Sequence, residues 1–236
     1  MKNLEIISDY LDSYEGRDKF LRTFSYVAKL ATILPKSNDT VMKLNRFSSQ
    51  MSGCRVILRL LDDIPTLHAA INYGWGRQEP DGIMRCLELI ELFVDIIYSP
   101  IETISWAGGQ ELISIDVNKW DNVSTYFWII SLSLTLIKSM RKYQQLSIQR
   151  KLYLETLSDY NSDVRTVNNL MRNKTLVCIR MMLDLTFAIS YLPAGKLWGG
   201  KLSSWQIGGI GTISSFIGLY QALSERSANY YKMKKT

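Results

Sequence analysis

The sequence predicts an all-α integral membrane protein, with an N-terminal helical region, an amphipathic helix and C-terminal transmembrane helices. Three observations carry that prediction. Apolar residues in the first half recur at intervals of three and four, the helical period. The second half holds uncharged runs of 23 residues at 202–224 and 16 residues at 122–137. A mean hydropathy close to zero hides this asymmetry, because the apolar runs concentrate toward the C-terminus.

Leu4, Ile7 and Leu11 mark the first helical stripe, and Phe20, Phe24, Val27, Leu30 and Leu34 mark a second that ends before Pro35. Asp39 or Thr40 is expected to cap the next helix, placed at about 43–64. In it Leu44, Phe47, Met51, Cys54, Leu58 and Leu61 step by three and four, and Ile57 and Ile64 widen the stripe. Lys43, Arg46, Arg55 and Arg59 add positive charge, so this helix suits an anionic lipid interface, and equally a bundle neighbour. Asp62 and Asp63 before Pro65 are expected to end it. Residues 73–82, with Gly74, Gly76, Pro80 and Gly82, read as a loop. A helix follows over about 83–98, its end set by Pro100, and Gly108 with Gly109 marks another turn.

The run 202–224 would extend about 34 Å as a helix, enough to cross a bilayer, with Trp205 and Tyr220 at headgroup depth. A buried helix of a soluble bundle is the alternative. Gly211 with Ser215, and Ser214 with Gly218 and Ala222, put small residues four apart, a spacing that lets helix backbones approach closely in lipid. The run 122–137 is short for a span, and 176–192 contains Arg180 and Asp184 on one helical face. A single domain results, with 1–115 mainly cytosolic and 116–236 membrane-associated. Between the second and third runs, 138–174 carries eight basic and three acidic residues and prefers the cytosol, as does the basic tail. A hairpin of 176–192 and 202–224 satisfies that preference. Spans at 122–137 and 202–224 alone conflict with it.

Composition narrows the chemistry. Three cysteines without CxxC spacing make neither a disulfide framework nor a zinc ribbon, and one histidine, His68, builds no familiar hydrolase triad. Gly208, Gly209 and Gly211 lack the Lys and Ser/Thr of a phosphate loop. No catalytic, cofactor or metal site is expected, and the chain is expected not to be an enzyme. A net charge of +6 is mild for a nucleic-acid binder, and nucleic acid is not expected as a partner. The ending from Lys232 to Thr236 has a K-x-K-x-x form similar to coat-protein retrieval signals, or serves as a basic tail beside the membrane.

Tyr14, Gly16, Arg17, Asp18, Lys19, Leu21, Arg22 and Tyr26 form a block that resembles the N-terminus of the peroxisomal membrane protein 11 family. Cys54, Arg55, Ile57 to Leu60, Asp62 and Asp63 resemble its gamma (C) type. So do Tyr73, Gly74, Gly76, Arg85, Cys86, Tyr98, Pro100, Glu102, Trp106 and Ala107, and, near the end, Leu192, Pro193, Leu197, Trp198, Trp205, 211–215 and 220–222. The matching blocks cover most of the chain, and 138–172 matches least.

The resemblance implies a multi-pass peroxisomal membrane protein with both termini cytosolic. Such proteins elongate and constrict the membrane before fission and control peroxisome size and number. They self-associate, pair with family paralogues, and cooperate with the dynamin-type fission machinery and its membrane adaptors. The family's membrane-inserting helix falls on 43–64, carrying over Leu44, Phe47, Met51, Leu58 and Leu61 with Arg46, Arg55 and Arg59. The alternative within the family is a pore or metabolite channel, for which Arg180 and Asp184 are the supporting residues.

Overall fold

The computed structural model describes residues 2–34, 37–156 and 161–233. Eight α-helices and no strands occur among them: α1 (Lys2–Asp12), α2 (Tyr14–Ala31), α3 (Asn38–Arg59), α4 (Asp63–Tyr73), α5 (Gly82–Gly109), α6 (Val117–Thr156), α7 (Asn161–Ser190) and α8 (Ser204–Met233). They divide into two compact units. The first comprises Met1–Leu60 with Ala194–Thr236, and the second Leu61–Pro193.

In the first unit α2 is the central helix, packed against α1, α3 and α8. Ser13 caps it, accepting a hydrogen bond from the Gly16 amide at 3.1 Å while donating to the Tyr10 carbonyl at 2.6 Å. Glycine is required at 16, since a Cβ there would overlap the Tyr10 carbonyl oxygen. At the start of α8 the Gln206 side chain reaches back, accepting from the Ser203 amide at 2.9 Å and from its hydroxyl at 3.0 Å. Its small residues then admit α2: a Cβ on Gly208 would meet the Leu30 backbone, and one on Gly211 the Tyr26 ring. Arg22 donates to Ser214 Oγ at 3.1 Å along the same seam.

Several boundaries differ from the sequence reading. Ser37, rather than Asp39 or Thr40, stands at the cap position of α3, and Pro35 lies outside the described residues. The helix expected over 43–64 ends at Arg59. Pro65 has no amide hydrogen, and its ring cannot sit against the carbonyl of residue 61 in a continuous helix, so the chain turns at 60–62. In the first turn of α4 the same proline costs nothing. Residues between Tyr73 and Gly82 do form a loop. By contrast Pro100 does not end α5, which runs on to Gly109 with that proline inside it. The lost hydrogen bond is local, while contacts with α6 on both sides of Pro100 hold the helix.

In the second unit α6 packs on α5 and α7. Asp81 caps α5, accepting from the Ile83 amide at 2.9 Å. Its other oxygen accepts from Arg141 Nε at 2.8 Å and Gln145 Nε2 at 2.7 Å, both on α6. The Arg141 hydrogen bond, helped by the amide, outweighs burial and draws this carboxyl from 3.8 down to about 2. Trp128 of α6 packs against Phe187 and Tyr191, with ring centroids 5.7 and 6.4 Å away. Among the described residues one helix, Val117–Glu155, is long and apolar enough to cross a membrane, and only 11% of its apolar window is buried. It contains the 122–137 run. The 202–224 run lies in α8 from Ser204 on and does not reach that apolarity, diluted by its glycines, serines and Gln221.

Candidate functional site

α3 turns its polar side inward. Ser48 is fully buried against α2, where Ser25 Oγ lies 3.0 Å from Ser48 Oγ and 2.8 Å from Ser52 Oγ, and donates to the Ser48 carbonyl at 3.1 Å. One turn on, Arg55 holds Asp18 through two contacts of 2.8 and 3.3 Å. These groups satisfy one another, so the seam between α2 and α3 is hydrogen-bonded rather than greasy. No large apolar residue of α3 is fully buried. Phe47 is 48% and Ile57 54% exposed, Cys54 is exposed, and Leu44, Met51 and Leu58 are half-buried along the flank. A bundle helix would face this stripe inward. Here it faces out.

The basic residues divide in the same way. Arg46 is exposed, whereas Arg55 is committed to Asp18 and Arg59 is half-buried. Lys43 is exposed and pairs with Asp39 at 2.6 Å. Leu61, 76% exposed, lies past the end of α3 in the turn and cannot extend its stripe.

One apolar surface escaped the sequence reading. On α4 and just beyond it, Ile64, Leu67, Ile71 and Trp75 are 74%, 52%, 69% and 78% exposed, and no residue of α4 is buried. Their spacing of three, four and four was a usable signal. It was masked because Ile64 counted toward the preceding helix and Trp75 toward a loop.

The N-terminal block proves to be scaffold. Gly16 forms the α1–α2 corner, where Arg17 Nε donates to the Leu11 carbonyl at 2.9 Å. Lys19 pairs with Glu15, and Asp18 holds α3. Arg22 and Tyr26 meet α8, with the Arg22 guanidinium 5.7 Å from the Tyr26 ring centre. Leu21 is half-buried and Tyr14 44% exposed. The small residues Gly211, Ser214, Ser215 and Gly218 are buried and Ala222 is half-buried, so the close approach they permit includes this chain's own α2. On α7 Asp184 is 2% exposed and Arg180 is half-buried. His68 is exposed beside Asn72. Among the described residues no group of three or more His, Cys, Asp or Glu could hold a metal ion. The last three residues of the K-x-K-x-x ending lie outside the described residues.

Residues 4–223 match the family model of peroxisomal biogenesis factor 11. Human peroxisomal membrane protein 11C is 32% identical, over 94% of this chain and 95% of that protein. The chain belongs to the peroxisomal biogenesis factor 11 family. The mouse 11C protein is 29% identical over the same shares, and peroxisomal membrane protein PMP30A of Candida boidinii is 24% identical over 71% of this chain and 68% of its own length. No solved structure matches. These family members are named for a membrane, not for a reaction, and the chain's all-helical architecture with a membrane-crossing candidate agrees with that class.

Proposed function

We propose that the chain is a peroxisomal membrane protein that elongates and constricts its membrane ahead of fission, with α3 as a shallow wedge in the cytosolic leaflet. The observation that carries this reading is the orientation of α3. With its serines and Arg55 satisfied by α2, its apolar flank can enter lipid without exposing unpaired polar groups. Arg46 stands where it can meet anionic headgroups. Many copies, associating with one another and with paralogues, would expand the cytosolic leaflet and favour tubules. Dynamin-type machinery and its adaptors would then sever them.

Replacing Phe47 and Ile57 together by Ser tests the wedge, because both side chains project from the fold and the helix should remain. Losing roughly half the transfer energy of two large apolar side chains, about 2–3 kcal/mol, should weaken binding to anionic vesicles on the order of fiftyfold or more. Electron microscopy should find tubules with the parent protein and spherical vesicles with the variant. Undiminished tubulation by a normally helical variant would sink the proposal.

A further inference from the structure

α5 is strongly apolar, yet Glu88, Glu91, Asp95 and Glu102 lie along it, a charge load that lipid does not accept unpaired. Each carboxylate meets a donor. Lys138 of α6 binds Glu88 at 2.7 Å and also Glu91. Thr135 donates to Glu91 at 2.6 Å and Ser131 to Asp95 at 3.1 Å. Glu102 accepts from Tyr98 on its own helix at 3.0 Å, and Ser105 donates to Asp121 at the far end of the seam. The partners on α6 step by four and three, so a polar stripe of one helix closes on an acidic stripe of the other. Away from the seam Ile90, Phe93 and Ile96 are 43%, 65% and 38% exposed.

We infer that α5 enters the membrane with α6 as a two-helix hairpin, its carboxylates sealed against α6 and its Ile90, Phe93 and Ile96 face in contact with acyl chains. From Asp121 to Lys138 α6 rises about 26 Å, close to the hydrocarbon thickness of roughly 30 Å. The ionic pairs at Lys138 therefore sit at one interface and the Ser105–Asp121 pair near the other, with Asp95 and Ser131 between. The hairpin also removes the charge conflict of a lone α6. Its tip, residues 106–120 beyond the Ser105–Asp121 pair, carries Glu111 and Asp116 and one basic residue, Lys119, while 138–174 carries eight. With both helices crossing, 138–174 and the segment preceding α5 lie on the cytosolic side together. The inference rests on α6 crossing the membrane and not on the wedge formed by α3.

The test uses the full chain with Cys54, Cys86 and Cys178 replaced by Ser, and single cysteines introduced as Gln78→Cys, Ile113→Cys or Gln144→Cys, all at exposed positions. A membrane-impermeant maleimide is applied to the intact organelle fraction that carries the chain, whichever organelle that is. Positions 78 and 144 should label before detergent, and position 113 only after it. Labelling of 78 and 144 from opposite sides, or of 113 without detergent, would overturn the hairpin whether or not the chain tubulates vesicles. Pairing is read in the Ile113→Cys background. Glu88→Lys with Glu91→Lys should abolish protection of position 113, and adding Lys138→Glu, which again sets one charge between two of opposite sign, should restore it. Protection unaffected by the two lysines, or unrestored by the added glutamate, would overturn the pairing.

Discussion

Asp81 joins two helices through one carboxylate, capping α5 with one oxygen and holding Arg141 and Gln145 of α6 with the other. Its folded pKa of about 2 lies below the ordinary 3.8, so the charged form is the one the fold favours. Its stabilising contribution is therefore complete above about pH 5 and is lost as pH falls through the folded value. Melting followed by circular dichroism in detergent should show the parent losing stability between about pH 5 and 2. Asp81→Asn should be less stable at neutral pH and flatter across that window. Two of the three arginines of α3 separate in another way. Arg46→Ala should leave melting unchanged but weaken anionic-vesicle flotation about fivefold, since one basic residue near a charged surface contributes about 1 kcal/mol. Arg55→Ala should lower stability by about 2 kcal/mol through loss of the Asp18 contacts. Charge was legible in the sequence at both positions. Its destination was not, because Asp18 lies 37 residues away and only the fold brings it near.

Among the elements, periodicity located the helices well and their ends less well. The break at 60–62 follows from Pro65 acting on the residue four before it, a reach that the acidic pair Asp62 and Asp63 obscured. Pro100 was an equally plain stop signal, and α5 passes through it because packing against α6 outweighs one missing hydrogen bond. Which side of α3 faces inward could not be read from an apolar stripe, since the partner helix meets it there with the Ser25 hydroxyl and the Asp18 carboxylate. α4 carries a second exposed apolar stripe. Ile71→Ser with Trp75→Ser should reduce vesicle flotation in the otherwise unaltered chain, and further when combined with Phe47→Ser and Ile57→Ser. Flotation equal to the parent would mean that α4 stays out of lipid.

For the molecule as a whole, stability should divide as the fold does. α2 is the hub of the first unit, and α8, about 190 residues away in sequence, comes closest to it where glycine removes the side chain. Gly208→Leu would drive a side chain into the Leu30 backbone, which cannot yield as a flexible side chain would, at a cost of about 3 kcal/mol or more. The helix itself should survive, since leucine is a better helix former than glycine. The loss should therefore fall on the docking of α8 against α2, with α1 loosened because it packs on both of them and α3 because it is held through α2. The second unit has its own contacts: Lys138 with Glu88, Arg141 with Asp81, and Trp128 with Phe187. Hydrogen exchange read by mass spectrometry in detergent should find amides of α1, α2, α3 and α8 exchanging faster in the variant, while those of α5 and α6 keep the parent rates. Equal loosening of both sets would mean that the two units fold as one cooperative body.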